Sequence, residues 1–580
     1  MKLLGKKFLN IQSIVRGIAV FFRNRYVLFI LFFSLYSQLS FALGGMVTAG
    51  DFLCQYLELP FLLYMFWYLN VLVRPSRFQA LIAAAPLFLS YLGPDISFLL
   101  LGRPFRLIDL GQVPELITVM SPFYLIVSGG ALIACLLLLC FSLSIKRWKA
   151  IIFGVLPLAA LIIVVEIFPR WFVNGFHRYG RETADLSDAI SAMGNNGRFV
   201  MLCYREADRH LAHEETDTFY SRASYDQQAL ELANWLKEKG NGRNVHLVVM
   251  ESFVDPTLFM AATYSQSPMH PDYEKMFAGH MGYSLSPVFG GGTAQAEFEA
   301  LCGVPAYQKL GGIEFNSFSG SQAWCLPGIL RQSGYRAAAS NAYNPNLFNS
   351  VTAYRGIGFG EQFYPKKYFL ASSSYLSTGE VKSEGYMFDG DLFAENREFV
   401  RQALAEKDHP PLFNYLLTMY GHVPYTLDKK KRPEFIKFTS KEHDDYLERV
   451  VNQLWYRTQA VTEHVRELTK IDPDGLIIIV SDHLPPLSGI STYSRLRYLN
   501  NSQDSIHMNR ILIIDRGKPQ QYETIHHYDI PRLILNALTG GAFGDTWQGA
   551  FSEPGRGLDA AAGQAELHRR YMRLMAHAIK

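Results

Sequence analysis

The chain has 580 residues, 49% of them hydrophobic and 18% charged, with a formal net charge of +3. This composition excludes an unfolded polyelectrolyte, and the near-balance of charge gives no reason to expect a nucleic acid partner. The average hides an asymmetry: long apolar stretches crowd into the first 168 residues and are missing from the remainder.

Residues 1–25 alternate apolar side chains such as Leu3, Phe8, Ile11 and Val15 with Lys2, Lys6, Lys7, Arg16, Arg23 and Arg25. This basic N-terminus reads either as an amphipathic helix lying on an anionic inner leaflet or as a basic flank that sets topology. Five apolar stretches follow, at roughly 26–47, 52–73, 78–101, 123–145 and 150–168. Each is near the ~20 residues with which a helix crosses a bilayer, so residues 26–168 are expected to form a transmembrane domain of five helices. Glu58, Pro60 and Asp95 blur the second and third spans, and Gly93-Pro94 beside Asp95 predicts a re-entrant turn. The third loop carries Arg103 and Arg106, but the N-terminus, the second loop (Arg74, Arg77) and the fourth loop (Lys146, Arg147, Lys149) are also basic and are placed inside. Five crossings then leave everything after Phe168 outside the cytoplasm. Cys203, Cys302 and Cys325 fall in that oxidising compartment, where Cys302 with Cys325 is the expected disulfide.

Residues 169–243 read as a juxtamembrane connector containing a helix at 225–239, with Leu230, Leu232, Ala233, Trp235 and Leu236 as its buried stripe. From 244 to 542 the pattern changes. Apolar runs of strand length at 245–250, 412–419, 476–480 and 511–514 alternate with helical segments at 294–301, 326–333, 390–405 and 446–468. Strands apolar on both faces, alternating with helices, predict an α/β domain with a central, mostly parallel sheet. The tail, 543–580, ends in a basic helix at 565–580 that either touches anionic headgroups or packs back on the domain.

Ligand chemistry in such sheets gathers at the carboxyl ends of the strands. Three strand ends carry Glu251-Ser252, Met419-Tyr420-Gly421-His422 and Ser481-Asp482-His483, the last followed by two prolines that hold an open loop. A further segment, Gly290-Gly291-Gly292-Thr293, opens a helix with Thr293 at its expected N-cap and Glu297 and Glu299 in its early turns. A glycine-rich helix start suits a phosphate. Glu251, Thr293, Asp482 and His483 together suit a hard divalent cation, which lowers the pKa of a threonine hydroxyl and makes it a usable nucleophile. These residues point to phosphoryl transfer through a phosphothreonine.

The stretches Val248-Val249-Met250-Glu251-Ser252-Phe253, Gly290 to Phe298, Gly421-His422-Val423-Pro424-Tyr425, Ser481-Asp482-His483 and Tyr528-Asp529-Ile530-Pro531 cover about 300 residues between them. Over this length the chain resembles the lipoteichoic acid synthase and phosphoglycerol transferase family of the alkaline phosphatase/sulfatase superfamily, whose layout of five spans and an extracytoplasmic domain it shares. The resemblance implies one divalent cation, Mn2+ first and Mg2+ or Zn2+ next, held by Glu251, Thr293, Asp482 and His483, with Thr293 as nucleophile. It implies that His422 contacts the phosphate or headgroup, that the donor is a membrane phospholipid, usually phosphatidylglycerol, and that the acceptor is an extracytoplasmic glycan or polymer. The implied location is a bacterial inner membrane, multi-pass, with the catalytic domain on the periplasmic or extracellular side. The family places a histidine and then an aromatic-Asn-Arg triplet where this chain has Asn341 and Phe348-Asn349-Ser350. Asn341 and Phe348 are therefore the expected substrate contacts, and Arg355 either replaces the lost arginine or simply ends a helix.

Three alternatives stand beside this reading. One is transfer of phosphoethanolamine from phosphatidylethanolamine, which the altered Asn341 and Ser350 positions leave open. A second is a non-catalytic lipid-binding relative, which predicts erosion of a quartet that is intact here. The third is hydrolysis of sulfate or phosphate esters; sulfatases need a Cys/Ser-x-Pro-x-Arg motif, and Cys325-Leu326-Pro327-Gly328-Ile329 lacks the arginine.

Overall fold

In a computed structural model of the chain, the apolar run at 245–250 becomes strand β1, Val245–Met250, every residue of which is buried. The structure describes residues 24–43, 57–101, 105–107, 110, 122–180, 193, 196–220, 222–368, 374–377, 384–546, 551 and 560–580. The chain divides into two units, Met1–Leu211 and Ala212–Lys580.

The second unit is built on a nine-stranded sheet. The other strands are β2 (Gly282–Leu285), β3 (Arg336–Asn341), β4 (Glu361–Phe363), β5 (Leu412–Leu417), β6 (Leu476–Ser481), β7 (Met508–Asp515), β8 (Lys518–Gln520) and β9 (Ile525–His526). Their order is β4-β3-β5-β1-β6-β7-β2-β9, with β8 beside β7. The pairs β3–β4, β3–β5, β1–β5, β1–β6 and β2–β9 are parallel. The strand expected at 511–514 instead runs antiparallel to β6 and β2, because residues 482–507 return along the carboxyl edge without a crossover helix.

The alternation along β1 explains why its sequence is apolar throughout. Val245, Leu247 and Val249 enter one core, with Phe298 and Leu301 of helix α9 (Thr293–Cys302), and with Ile534 and Leu535 of the helix Ile530–Leu538. Val248 and Met250 enter the other, with Leu392 and Phe393 of the helix Asp389–Ala405 and with Val461 and Val465 of the helix Asp445–Ile471. Helices on both faces leave no side of the strand for polar residues. The one polar side chain inside β1, His246, is satisfied by Asp472 at 2.9 Å.

The tail helix, Ala560–Ala578, packs back on the domain through Tyr571, Met572 and Met575. The Tyr571 hydroxyl donates to Glu314 Oε1 at 3.0 Å. The connector helix, α8, runs over Arg222–Lys239, and its buried stripe is Ala229, Leu232, Ala233 and Leu236, while the expected Leu230 is exposed. Cys302 and Cys325 form the expected disulfide, which ties the end of α9 to the segment before Leu326–Gln332.

The first unit is helical: α1 (Arg25–Leu43), α2 (Leu59–Leu72), α3 (Gln79–Leu101), α4 (Pro122–Ser142), α5 (Trp148–Ile167), α6 (Pro169–Tyr179) and the start of α7 (Arg198–Phe219). Among the described residues only α5 is long and apolar enough to cross a membrane; four shorter apolar helices lie within α1 to α4, where the other spans were expected. The N-terminal segment before residue 24 lies outside the described residues.

The re-entrant turn expected at Gly93-Pro94 is not formed. Helix α3 runs through both prolines it contains, Pro86 and Pro94. Asp95 is held inside this unit by Arg198 and by the hydroxyls of Tyr36 at 2.7 Å and Ser40 at 2.8 Å. Glu58 accepts from the backbone N–H of Arg198 and Phe199, at 3.1 and 2.6 Å, and so caps the start of α7. A carboxylate supplied with partners in this way is satisfied within a helix bundle and needs no turn.

Candidate active site

Parallel strands β1, β5 and β6 end on one edge, and this brings Glu251, His422 and Asp482-His483 together. Glu251 follows β1 in a turn where Ser252 has φ +49°. The turn is pinned at many points. The Ser252 N–H donates to Asp482 Oδ1 at 2.8 Å, the Phe253 N–H to Ser481 Oγ at 2.9 Å, and the Ser252 hydroxyl to Glu251 Oε1 at 2.7 Å. From beneath, the buried Arg457 donates to the Glu251 carbonyl at 2.7 Å and to Asp389 Oδ2 at 2.7 Å. A Cβ at position 421 would lie 2.2 Å from the Glu251 carbonyl and 2.3 Å from the Arg457 guanidinium, so only glycine fits beside His422.

Thr293 is placed differently from the sequence expectation. Gly290, Gly291 and Gly292 all have positive φ, and Gly292, not Thr293, takes the cap position of α9. Thr293 is the first helical residue, and its hydroxyl, which caps nothing, donates to Glu251 Oε2 at 3.2 Å. A threonine spent on capping would bond to its own helix; this one faces the carboxylates.

The donor set fits a cation. Ligand atoms of Glu251, Asp482 and His483, all buried, lie within 4.8 Å of one another. The Leu484 carbonyl, 3.0 Å from His483 Nδ1, can only accept, so Nδ1 carries the proton. The Nε2 lone pair then faces Asp482 Oδ2 at 3.2 Å and Glu251 Oε1 at 3.8 Å. Asp482 Oδ2 and His483 Nε2 have no hydrogen-bond partner among the described residues. Burial, and then the neighbouring Glu251, push the Asp482 carboxyl up to about 7. Three buried acceptors turned on one another are what a bound divalent ion would neutralise.

His422 Nδ1 lies 2.8 Å from the Val423 carbonyl and 3.0 Å from the Tyr386 hydroxyl. The carbonyl fixes the proton on Nδ1 and leaves Nε2 for a ligand. Asn341, at the end of β3, spends its amide within the fold: Oδ1 accepts from the Tyr343 N–H at 2.9 Å and Nδ2 donates to the Tyr354 hydroxyl at 3.2 Å. Tyr354 in turn donates to Glu297, as Tyr415 does at 2.6 Å. Burial raises the Glu297 carboxyl to about 7. Phe348 is half-buried against the larger core. Ser350 donates to the Pro345 carbonyl at 2.8 Å and closes its own loop. Arg355 is exposed in the last turn of Ser350–Ile357. Thus the four expected ligands converge and His422 sits at the same strand edge, while the Asn341 amide is engaged by Tyr343 and Tyr354.

Sequence reasoning named Ser252 and Glu297 only by position, without a role, and missed Asp389, Arg457, Tyr354 and Tyr415. For Glu297 a signal existed, since it lies one helical turn beyond Thr293 and on the same face. For Arg457 there was none, because a base in a long amphipathic helix ordinarily belongs to the solvated face.

A family model described as Sulfatase matches residues 243–540, just over half of the chain. A protein of Rhizobium meliloti (strain 1021) named for cyclic beta-1,2-glucan modification is 28% identical over 305 residues, 51% of this chain and 42% of that protein. A lipoteichoic acid synthase of Staphylococcus saprophyticus is 25% identical over 256 residues, 42% of this chain and 36% of that protein. The matches thus span about two-fifths of the length of these two relatives. Among solved structures, a Streptococcus pyogenes phosphoglycerol transferase in complex with sn-glycerol-1-phosphate superposes with a TM-score of 0.46 at 18% identity, covering 62% of this chain and 92% of that one. With more than half of its length matched by the family model, the chain belongs to the sulfatase family of the alkaline phosphatase superfamily, and it is distantly related to the lipoteichoic acid synthases.

Proposed function

We propose that the chain is a membrane-anchored, metal-dependent phosphotransferase. It moves a phosphoglycerol headgroup from phosphatidylglycerol to an extracytoplasmic glycan or polymer through a phosphothreonine at Thr293. The observation that carries this reading is the Thr293 hydroxyl, released from capping and donated to Glu251 beside two orphaned ligand atoms. Glu251, Asp482, His483 and Thr293 would hold one divalent cation, Mn2+ first. When bound, such an ion lowers the pKa of a nearby hydroxyl and offsets phosphoryl charge.

Thr293 Oγ1 attacks the phosphorus of the donor, the bond to the diacylglycerol oxygen breaks, and diacylglycerol leaves with a proton. A hydroxyl of the acceptor then attacks the phosphothreonine, the phosphorus–Oγ1 bond breaks, and Thr293 regains its proton. The amide groups at the start of α9 face the phosphoryl oxygens. His422, with Nδ1 anchored, is set to pass the proton at the leaving oxygen through Nε2. The relative named for cyclic glucan modification favours a glycan as acceptor. Sulfate-ester hydrolysis has no cysteine to use at Cys325, whose sulfur is bonded to Cys302. The spans around α1 to α5 would cross a bacterial inner membrane, with the second unit on the extracytoplasmic side.

Incubation of the full chain with headgroup-labelled phosphatidylglycerol or phosphatidylethanolamine, followed by peptide mapping, is expected to find glycerol phosphate on Thr293. Ethanolamine phosphate there would select the phosphoethanolamine alternative, and an unlabelled Thr293 with both donors would overturn the covalent mechanism. Stripping divalent ions from the full chain should lower its unfolding temperature, and Mn2+ at a hundredfold excess over its Kd should restore about 2.7 kcal/mol. Absence of any shift with Mn2+, Mg2+ or Zn2+ would remove the cation from the proposal.

A further inference from the structure

Tyr425 closes a tight turn at the carboxyl edge of the sheet. Its N–H donates to the His422 carbonyl at 3.2 Å, and its backbone lies in the left-handed region, at φ +58°. A bulky residue holds that conformation only where its surroundings over-determine it. The turn is seated on the ligand-bearing loops. Gly421 packs on the Glu251 carbonyl too closely to admit a Cβ. The Tyr425 ring belongs to an apolar cluster with Val254, Phe289 and Leu484. In the chain these three stand just after Glu251, just before the glycine run that leads to Thr293, and just after His483. The ring therefore lies where the three loops that carry the candidate ligands meet.

Its hydroxyl stands apart from those around it. Tyr425 is 2% exposed, and among the described residues its hydroxyl is the only fully buried phenol without a hydrogen-bond partner. Tyr493, in the same cluster, donates to the Pro485 carbonyl at 2.6 Å. Tyr415 and Tyr420 each donate to a carboxylate at 2.6 Å. The Leu487 N–H approaches the Tyr425 oxygen, but a donor cannot receive the hydroxyl proton. A phenylalanine would fill the same space and leave no donor unpaired.

Two other sealed atoms of these loops lack partners, Asp482 Oδ2 and His483 Nε2. They are acceptors and call for a cation. The Tyr425 hydroxyl, kept protonated by burial and then by the Glu251 carboxylate, is a donor and calls for an anion. A phosphoryl group held on a cation brings negatively charged oxygens, the acceptor that this phenol lacks.

We infer that the Tyr425 hydroxyl is a further catalytic group, which donates a hydrogen bond to a phosphoryl oxygen of the substrate. The inference rests on the phosphotransfer reading of the site. In the transition state charge is spread over the phosphoryl oxygens, and a donor already fixed in place stabilises it without reorganisation.

The test is Tyr425→Phe in the full chain, which removes the hydroxyl and keeps the ring. Labelling of Thr293 from headgroup-labelled phosphatidylglycerol is expected to slow by about 10²-fold. With Mn2+ present, inorganic phosphate is expected to bind roughly tenfold more weakly. Mn2+ affinity should be unchanged and the unfolding temperature unchanged or raised, because the hydroxyl gives up no bond within the protein. A hydroxyl that only holds an ordered water gives a different pattern: a lower unfolding temperature with wild-type labelling and wild-type phosphate affinity. That result overturns the inference and spares the phosphotransfer reading. A parallel loss of Mn2+ affinity would mean that the ligands themselves have moved, and also overturns it. If the wild type is labelled by neither phosphatidylglycerol nor phosphatidylethanolamine, the phosphotransfer reading falls and phosphate affinity decides alone. Equal phosphate binding by the wild type and Tyr425→Phe, or none by either, then overturns the inference, and a tenfold loss in the variant sustains the phenol as a phosphate donor.

Discussion

Replacing Thr293 by alanine is expected to reduce headgroup transfer by at least about 10⁴-fold, since a covalent nucleophile has no substitute within the site. The fold should survive. Thr293 is buried at the start of a helix anchored by Phe298 and Leu301, and its hydroxyl donates to Glu251 at 3.2 Å. Loss of that bond costs about 1 kcal/mol, which thermal unfolding would report as a small shift. Thr293→Ser keeps the hydroxyl and should retain measurable transfer with a labelled intermediate. If the alanine variant keeps substantial transfer, the hydroxyl is not the nucleophile, whatever the cluster binds.

Arg457→Met is expected to damage the same site from below. Arg457 is buried, pairs with the buried Asp389, and holds the carbonyl of Glu251. Removing one member of a buried ion pair leaves the other charge without compensation and costs about 3–5 kcal/mol. In a domain of this size that lowers the unfolding temperature by on the order of 5 °C. The displaced Glu251 turn should also weaken Mn2+ binding by about tenfold, the usual scale for groups that orient a ligand. Arg457→Lys should fall between, because an ammonium cannot span both the carboxylate and the carbonyl. Combining Arg457→Met with Asp389→Leu should recover part of the stability, since no buried charge is then unpaired, but should not recover Mn2+ affinity. Wild-type Mn2+ affinity in Arg457→Met would refute the positioning role.

Local periodicity made the sheet legible. Runs such as Val245–Met250 and Leu476–Ser481 are apolar at every position because helices cover both faces. The short strands Glu361–Phe363 and Lys518–Gln520 gave no such signal. Both lie at the margins of the sheet, where half-exposed side chains suffice. The antiparallel course of Met508–Asp515 was illegible for a related reason: a buried strand has the same composition in either direction.

The site was legible where chemistry imposes residue type and illegible where packing does. Glu251, Asp482 and His483 follow strands that end on one edge, so their convergence follows from topology. The glycine run announced a close approach near Thr293, but whether the hydroxyl capped its helix or faced the carboxylates depended on which residue took the left-handed position. The structure gives that position to Gly292. Asp95 shows the opposite outcome. Gly93-Pro94 beside it suggested a turn, yet the helix continues because Arg198, more than a hundred residues away in sequence, comes to meet the carboxylate.

The sequence by itself therefore determined the division into an apolar helical part and an α/β part, the central strands and the four convergent side chains. Each follows from short-range pattern or from the common polarity of parallel strands. Only the tertiary structure decided the orientation of the Thr293 hydroxyl, the buried arginine beneath Glu251 and the partners of Asp95. Those depend on contacts between residues far apart in the chain, and no local pattern encodes them.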